Sequence, residues 1–248
     1  MPDKEFSGQV AVITGGAQGL GHAISALLAQ RGASVAILDR DSGRLDDSVA
    51  QLARDGATAR GYVTDVAREE EILQARDAIL GEFGRADVLI NNAGWFPFTT
   101  VQAITANEWQ RVFDVNAKSV FLATRAFMDG MVARRYGRVV NIASSGAYVA
   151  NLTLPHYAAA KAAVLSLTKS FALELAPHGV LVNGVSPGNV ATERQRDQPW
   201  LVERLPIIPV RRAAEPRDIA EVVLFLASRR NRFVVGETII ADGGMRMY

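Results

Sequence analysis

Apolar residues along this 248-residue chain follow two alternating rhythms. The first is a set of short strand-like runs at 9–14 (QVAVIT), 33–38 (ASVAIL), 58–63, 87–91, 138–142, 179–185 and 237–240. The length and β-branched content of the run at 9–14 predict a strand buried on both faces. Between them, apolar positions recur every three or four residues. Leu20, Ile24, Leu27 and Leu28 begin this pattern, and segments 42–54, 69–83, 108–131, 156–176 and 216–226 continue it. That spacing predicts amphipathic helices. Strand and helix therefore alternate, which calls for a parallel sheet with helices on both faces. The predicted fold is α/β, a doubly wound parallel sheet in one domain spanning 1–248, with no repeat or linker.

Two segments depart from the rhythm. The helix at 156–176 is apolar nearly all round, and one stripe suffices to cover a sheet, so a second subunit is the expected cover for the rest. The proline-punctuated stretch within 189–212, with Pro199, Pro206 and Pro209, reads as a lid over a site rather than a core element.

Candidate chemistry gathers where strands end. Gly15, Gly16, Gly19 and Gly21 fill the turn between the first strand and helix, with Gln18 and Leu20 beside them. Such a turn leaves backbone N–H groups and the positive helix end facing outward, which suits a pyrophosphate. Asp39 ends the second strand, 39 − 21 = 18 residues past the last glycine, close to the roughly 20 expected of a carboxylate on an adenosine ribose. A carboxylate there repels a 2′-phosphate and favours NAD. Arg40 beside it is the route by which NADP would bind. Asp65 follows the third strand, where it either caps the next helix or bonds an adenine amine. Asn91-Asn92-Ala93-Gly94 ends the fourth strand at the edge where open α/β sheets bind ligands. Ser144 follows the fifth, and Asn116 sits mid-helix, a poor place for Asn unless its side chain has local work.

Tyr157 and Lys161 are four residues apart at the head of a helix, so both side chains share one face. A cation there favours the phenolate and draws the phenol below its ordinary value of about 10. Such a phenol exchanges protons with an alcohol near neutral pH.

Composition narrows the classes. With 27 basic and 26 acidic residues the net charge is +1, no footprint for nucleic acid or an anionic membrane. The chain has no Cys, which excludes thiolate metal sites and cysteine nucleophiles, and its three His have no metal-ligand spacing. No metal is expected. No apolar run is long enough to span a membrane, and a soluble cytoplasmic protein is the expectation.

Taken together, Thr14-Gly15-x-x-x-Gly19-x-Gly21, Asn91-Asn92-Ala93-Gly94, Asn116, Ser144, Tyr157-x-x-x-Lys161 and Pro187-Gly188 resemble, in order and approximate spacing, the short-chain dehydrogenase/reductase family of single-domain, Rossmann-like enzymes. The resemblance covers essentially the whole chain. It implies Tyr157 as acid/base, Lys161 as the group that lowers its pKa and binds the nicotinamide ribose, and Ser144 as holder of the substrate oxygen. Asn116 is implied to position a water linking Lys161 to solvent. The same resemblance implies Gly15, Gly19 and Gly21 on the diphosphate and Asp65 and Val66 on adenine. It also implies cofactor contacts from Asn92, Ala93, Gly94, Pro187, Gly188 and Val190, with Thr192 on the nicotinamide carboxamide. A homotetramer is implied too, and an acid at position 39 resembles the NAD-preferring members.

Trp95, Phe96 and Phe98 follow Gly94 directly, Tyr148 follows Ser144, and Trp200 lies in the lid; aromatics in a mouth suit an apolar or aryl ring. The expected reaction is NAD-dependent interconversion of an apolar secondary alcohol and its ketone. The alternatives are an NADPH-dependent 3-oxoacyl carrier-protein reductase, meeting an acidic carrier through Arg134-Arg135 or Arg211-Arg212, and a dinucleotide-sensing regulator without turnover.

Overall fold

A computed structural model describes residues 4–247. Seven strands, β1 Val10–Thr14, β2 Ser34–Asp39, β3 Ala59–Val63, β4 Val88–Asn91, β5 Gly137–Ile142, β6 Val180–Pro187 and β7 Thr238–Ala241, form one sheet in the order β3-β2-β1-β4-β5-β6-β7. Every pairing is parallel. Order reverses between β1 and β4, and parallel registers such as Thr14↔Asn91 align their carboxyl ends. At that switch point the crossovers leave in opposite directions and open a crevice.

The pleat sends alternate side chains to opposite layers. On one face Ala11, Ile13, Val35, Ile37, Val88, Ile90, Val140 and Val185 pack against α1 Gly19–Gln30, α2 Ser42–Arg54 and α8 Pro216–Ala227. On the other, Val12, Ala36, Leu38, Leu89, Val139 and Val182 pack against α3 Glu69–Phe83, α5 Ser119–Ala133 and α6 Pro155–Leu175. Burying each large aliphatic chain contributes about 1.5–3 kcal/mol, and this two-sided core fixes where the strand ends lie.

Two segments depart from the sequence reading. The pattern at 108–131 is not one helix: α4 Ala106–Phe113 passes through a π-helical turn, Asp114–Lys118, into α5. The stretch 189–212 is partly anchored. Val190 bridges Ala214, a single turn α7 Pro199–Val202 interrupts it, and Leu201 and Ile208 are buried. It is a flap fastened at its base and along one side. Among the described residues no helix is long and apolar enough to cross a membrane.

Candidate active site

The glycine turn is locked by the end of β4. Thr14 Oγ1 accepts from the N–H groups of Asn92 and Ala93 at 3.0 and 3.1 Å, and Asn92 Nδ2 donates to Gly15 O at 2.9 Å. Gly15 and Gly19 have φ of 62° and 55°, a region costly for any other residue. A β-carbon at Gly21 would lie 2.1 Å from Gly15 O, so position 21 has no room for one. This bare turn at the head of α1 is a cradle of the kind a diphosphate needs, and the residues present fit that group.

Asp39, 8% exposed, faces the same turn. Its carboxylate accepts from Ala17 N and Asp41 N, both at 3.2 Å, which aims it along the cradle's rim. Arg40 beside it is exposed. Gln18 is tied outward to Arg44 at 2.6 Å, and Leu20 packs on the core. Asp65 does not cap α3, whose N-cap is Arg68. Its carboxylate turns back on Ala67 N at 3.0 Å, and the Val66 side chain is buried with Ile72 and Leu122. At β6, Gly188 leaves space that a β-carbon would lose to Asp242, 2.7 Å away. Pro187 and Val190 are buried, and Thr192 brings its methyl to the glycine turn, 3.3 Å from where a β-carbon of Gly19 would sit.

On the other side of the switch point the four predicted catalytic residues converge. Ser144 caps a 3₁₀ turn, Ser145–Tyr148, by accepting from Gly146 N at 3.1 Å, and its hydroxyl hydrogen-bonds the Tyr157 phenol. Lys161, 2% exposed, donates to Ile142 O at 2.6 Å, with Nζ 5.7 Å from the Tyr157 ring centroid. A β-carbon on Gly94 would stand 3.1 Å from Asn116 Oδ1 and 3.9 Å from Lys161 Nζ, so this glycine keeps the floor open. Asn116 lies in the π turn, where its Nδ2 donates to Trp95 O and Val112 O at 2.7 and 2.9 Å and its Oδ1 accepts from Trp95 N at 3.2 Å. The side chain of Asn116 clamps the main chain after Gly94.

The electrostatics differ from the sequence expectation. Burial pushes the Tyr157 phenol up to about 12 against the pull of the Ser144 hydrogen bond, and burial pushes Lys161 down to about 8. Desolvation of the phenolate dominates, and Lys161, itself desolvated and held on a carbonyl, does not offset it. The protein alone therefore keeps the phenol protonated, poised to donate.

The predicted pocket aromatics divide. Phe96 lies against Tyr157 at 5.7 Å between centroids, Phe98 meets Phe96 at 6.5 Å, and Trp200 meets Phe98 at 5.7 Å. These three form an aromatic lane from the phenol to the flap. Trp95 instead packs on the cluster of Val112, Ala117 and Ala160, which Tyr157 also borders, and Arg111 lies 4.6 Å over its ring. Tyr148 lines a separate open groove of about 670 Å³ with Glu237–Ile240, Arg246 and Met247. Two parts of the site were not found from sequence. The Ile142 carbonyl that holds Lys161 belongs to the main chain and leaves no mark in residue type. The π turn left one trace, the Asn in mid-helix.

Known proteins resemble this chain over nearly its whole length. A family model described as enoyl-(acyl carrier protein) reductase matches residues 15–246. A 3-oxoacyl-[acyl-carrier-protein] reductase FabG of Vibrio cholerae is 37% identical, over 98% of this chain and 99% of the relative. This chain belongs to the short-chain dehydrogenase/reductase family. A cyclopentanol dehydrogenase of Comamonas sp. is 38% identical over 95% and 96% of the two chains. A crystal structure of a short-chain type dehydrogenase/reductase from Mycobacterium marinum matches with a TM-score of 0.93 at 33% identity, over 99% of this chain and 98% of that one. The family's oxidoreductase chemistry uses NAD or NADP, and the cradle, Asp39 and the Ser144–Tyr157–Lys161 group are the parts of this chain suited to it.

Proposed function

We propose that the protein is an NAD-dependent oxidoreductase interconverting an apolar, aryl or cyclic, secondary alcohol and its ketone. The observation that carries this reading is the aromatic lane of Phe96, Phe98 and Trp200 ending on the Tyr157 phenol. A bound nicotinamide supplies the hydride acceptor or donor. The protein's own part is proton transfer and placement. Ser144 holds the substrate oxygen at the phenol, and Tyr157 gives a proton to the forming alkoxide in reduction or takes it in oxidation. Lys161, held beside the ring on the Ile142 carbonyl, is the cation placed to bind the nicotinamide ribose, and Asn116 fixes the chain after Gly94. Asp39 supports NAD, since its anionic rim disfavours a 2′-phosphate.

A second reading, an NADPH-dependent 3-oxoacyl carrier-protein reductase, is favoured by the likeness to the Vibrio cholerae FabG. The arginine pairs support it weakly. Arg134 and Arg135 follow α5 just before β5 begins, at the edge of the sheet opposite Ser144 and Tyr157, and bond Ala86 O and Pro177 O. Arg212 is paired with Asp218, and Arg211 donates to Pro206 O. We further propose a homotetramer acting in the cytoplasm; exposed Leu173 on α6 and half-exposed Phe121 on α5 support assembly.

The experiment is initial-rate measurement with NAD and NADP over aryl, cyclic and aliphatic secondary alcohols, with 3-oxoacyl thioesters and NADPH in parallel. Faster turnover of aryl or cyclic alcohols with NAD is the expected result. Preference for thioesters and NADPH would replace the first reading by the second.

A further inference from the structure

The turn that carries Tyr157 has no cap from its own N-cap side chain. Leu154 is the N-cap of α6 and supplies no side-chain hydrogen bond, and Pro155 opens the helix without an N–H. The loop before it is held instead by Asn151, whose Oδ1 accepts from Thr153 N and Leu154 N at 3.1 and 2.9 Å, and by Thr99 N donating to Thr153 O at 2.7 Å.

His156, the neighbour of Tyr157, is fully buried. Its Nε2 lies 3.1 Å from Glu108 Oε1 on the first turn of α4, where Glu108 is itself placed by donating its N–H to Thr105 Oγ1 at 3.1 Å. His156 Nδ1 is buried with no partner among the described residues. The tautomer that suits this surrounding carries its proton on Nε2, donates to the carboxylate and leaves Nδ1 bare. Burying an imidazole with one nitrogen unbonded is costly, and an apolar side chain would serve packing better. Its use here points to geometry rather than stability.

The same helix α4 leads at its other end into the π turn, where Asn116 clamps the Trp95 main chain, and Trp95 and Tyr157 pack on one apolar cluster of Val112, Ala117 and Ala160. Helix α4 thus meets the Tyr157 turn directly at one end and through that cluster at the other. We propose that the buried His156–Glu108 hydrogen bond is a cross-helix brace that positions Tyr157 for proton transfer. His156 is a positioning residue: it acts on the substrate only through Tyr157. The inference rests on the reading of Tyr157 as the acid/base.

The test compares His156→Phe, His156→Gln, Glu108→Ala and Tyr157→Phe with the unaltered enzyme, on whichever alcohol the panel ranks first. The brace predicts that His156→Phe and Glu108→Ala lower kcat on the order of 10-fold or more, the scale expected of a slightly misplaced reacting group, with KM and NADH affinity changed less than about twofold. His156→Gln, whose amide N–H still reaches a carboxylate, restores most of kcat. Active enzyme is counted by NADH titration and kcat is taken per bound NADH, because a purely structural role lowers active content alone and leaves this corrected kcat unchanged. Should His156→Phe fail to fold, Glu108→Ala, at the partly exposed end of the bond, decides the matter. If corrected kcat is kept in Glu108→Ala, or falls in His156→Gln as far as in His156→Phe, the brace is wrong. If Tyr157→Phe keeps activity, the acid/base reading itself fails, and the two failures are told apart.

Discussion

The two sides of the switch point are built on different principles. The proposed cofactor side, from β1 to β3, is chiefly main chain: Gly15, Gly19 and Gly21 work by lacking a side chain, and the side chains of Thr14 and Asn92 hold their turn by bonding its backbone. The catalytic side, from β4 to the flap, is side chains gathered from far apart, Phe96, Asn116, Ser144, Tyr157, Lys161 and Trp200. A rigid backbone cradle suits a ligand shared by many enzymes, whereas a side-chain lane can change one residue at a time. Substitutions on the first side should break binding of cofactor outright, and those on the second should alter rate or choice of substrate.

The largest effect expected on the cofactor side is from Gly21→Ala. Its methyl would meet Gly15 O at 2.1 Å, and relieving an overlap of that kind costs about 1–3 kcal/mol. NADH affinity measured by fluorescence titration should fall roughly 5- to 140-fold, that energy converted at about 1.4 kcal/mol per decade. Unchanged affinity would show that the cradle is looser than drawn. Next comes Asp39→Ser, which removes the charge facing a 2′-phosphate. The ratio of kcat/KM for NAD over NADP should fall on the order of 10-fold. A ratio that stays put would pass the discrimination to Arg40.

On the catalytic side, Lys161→Met separates function from stability. Burial lowers the Lys161 pKa from 10.5 to about 8. Below pH 8 both folded and unfolded chains carry the cation, and its burial penalty is fully present. Between 8 and 10.5 the unfolded state binds more protons, so stability of the unaltered protein rises with pH until the penalty is gone. Lys161→Met should therefore abolish turnover yet raise Tm on the order of 5 °C at pH 7, with the gain fading by pH 11. A Tm gain independent of pH would refute the linkage. The smallest effect is expected from Trp200→Ala at the outer end of the lane, where loss of one aromatic contact of about 0.5–1.5 kcal/mol should raise KM for aryl alcohols about 3- to 10-fold and leave aliphatic ones nearly unaffected.

What was legible in the sequence follows the same division. The strands, the glycine turn and Asp39 show plainly because each is local: a run of β-branched residues, a cluster of glycines, a carboxylate at a fixed distance. The Tyr157–Lys161 pair was legible because helical spacing alone puts both on one face. Its electrostatics were not, since they depend on the Ile142 carbonyl and on desolvation. The π turn at Asp114–Lys118 inserts one residue into a helix whose apolar spacing hardly changes, so only Asn116 hinted at it. Trp95 and Phe96 are adjacent and equally aromatic. Packing alone sends one to the Val112–Ala160 cluster and the other beside the Tyr157 ring, and Tyr148 to the β7 groove.

The central claim is that one phenol moves the proton while a separate backbone cradle holds the cofactor. Tyr157→Phe tests it directly, with turnover and NADH binding measured on the same preparation. Removing one general acid/base should cut kcat about 10²- to 10⁴-fold, with the NADH dissociation constant within about twofold of the unaltered enzyme. Near-normal kcat in that variant would contradict the account.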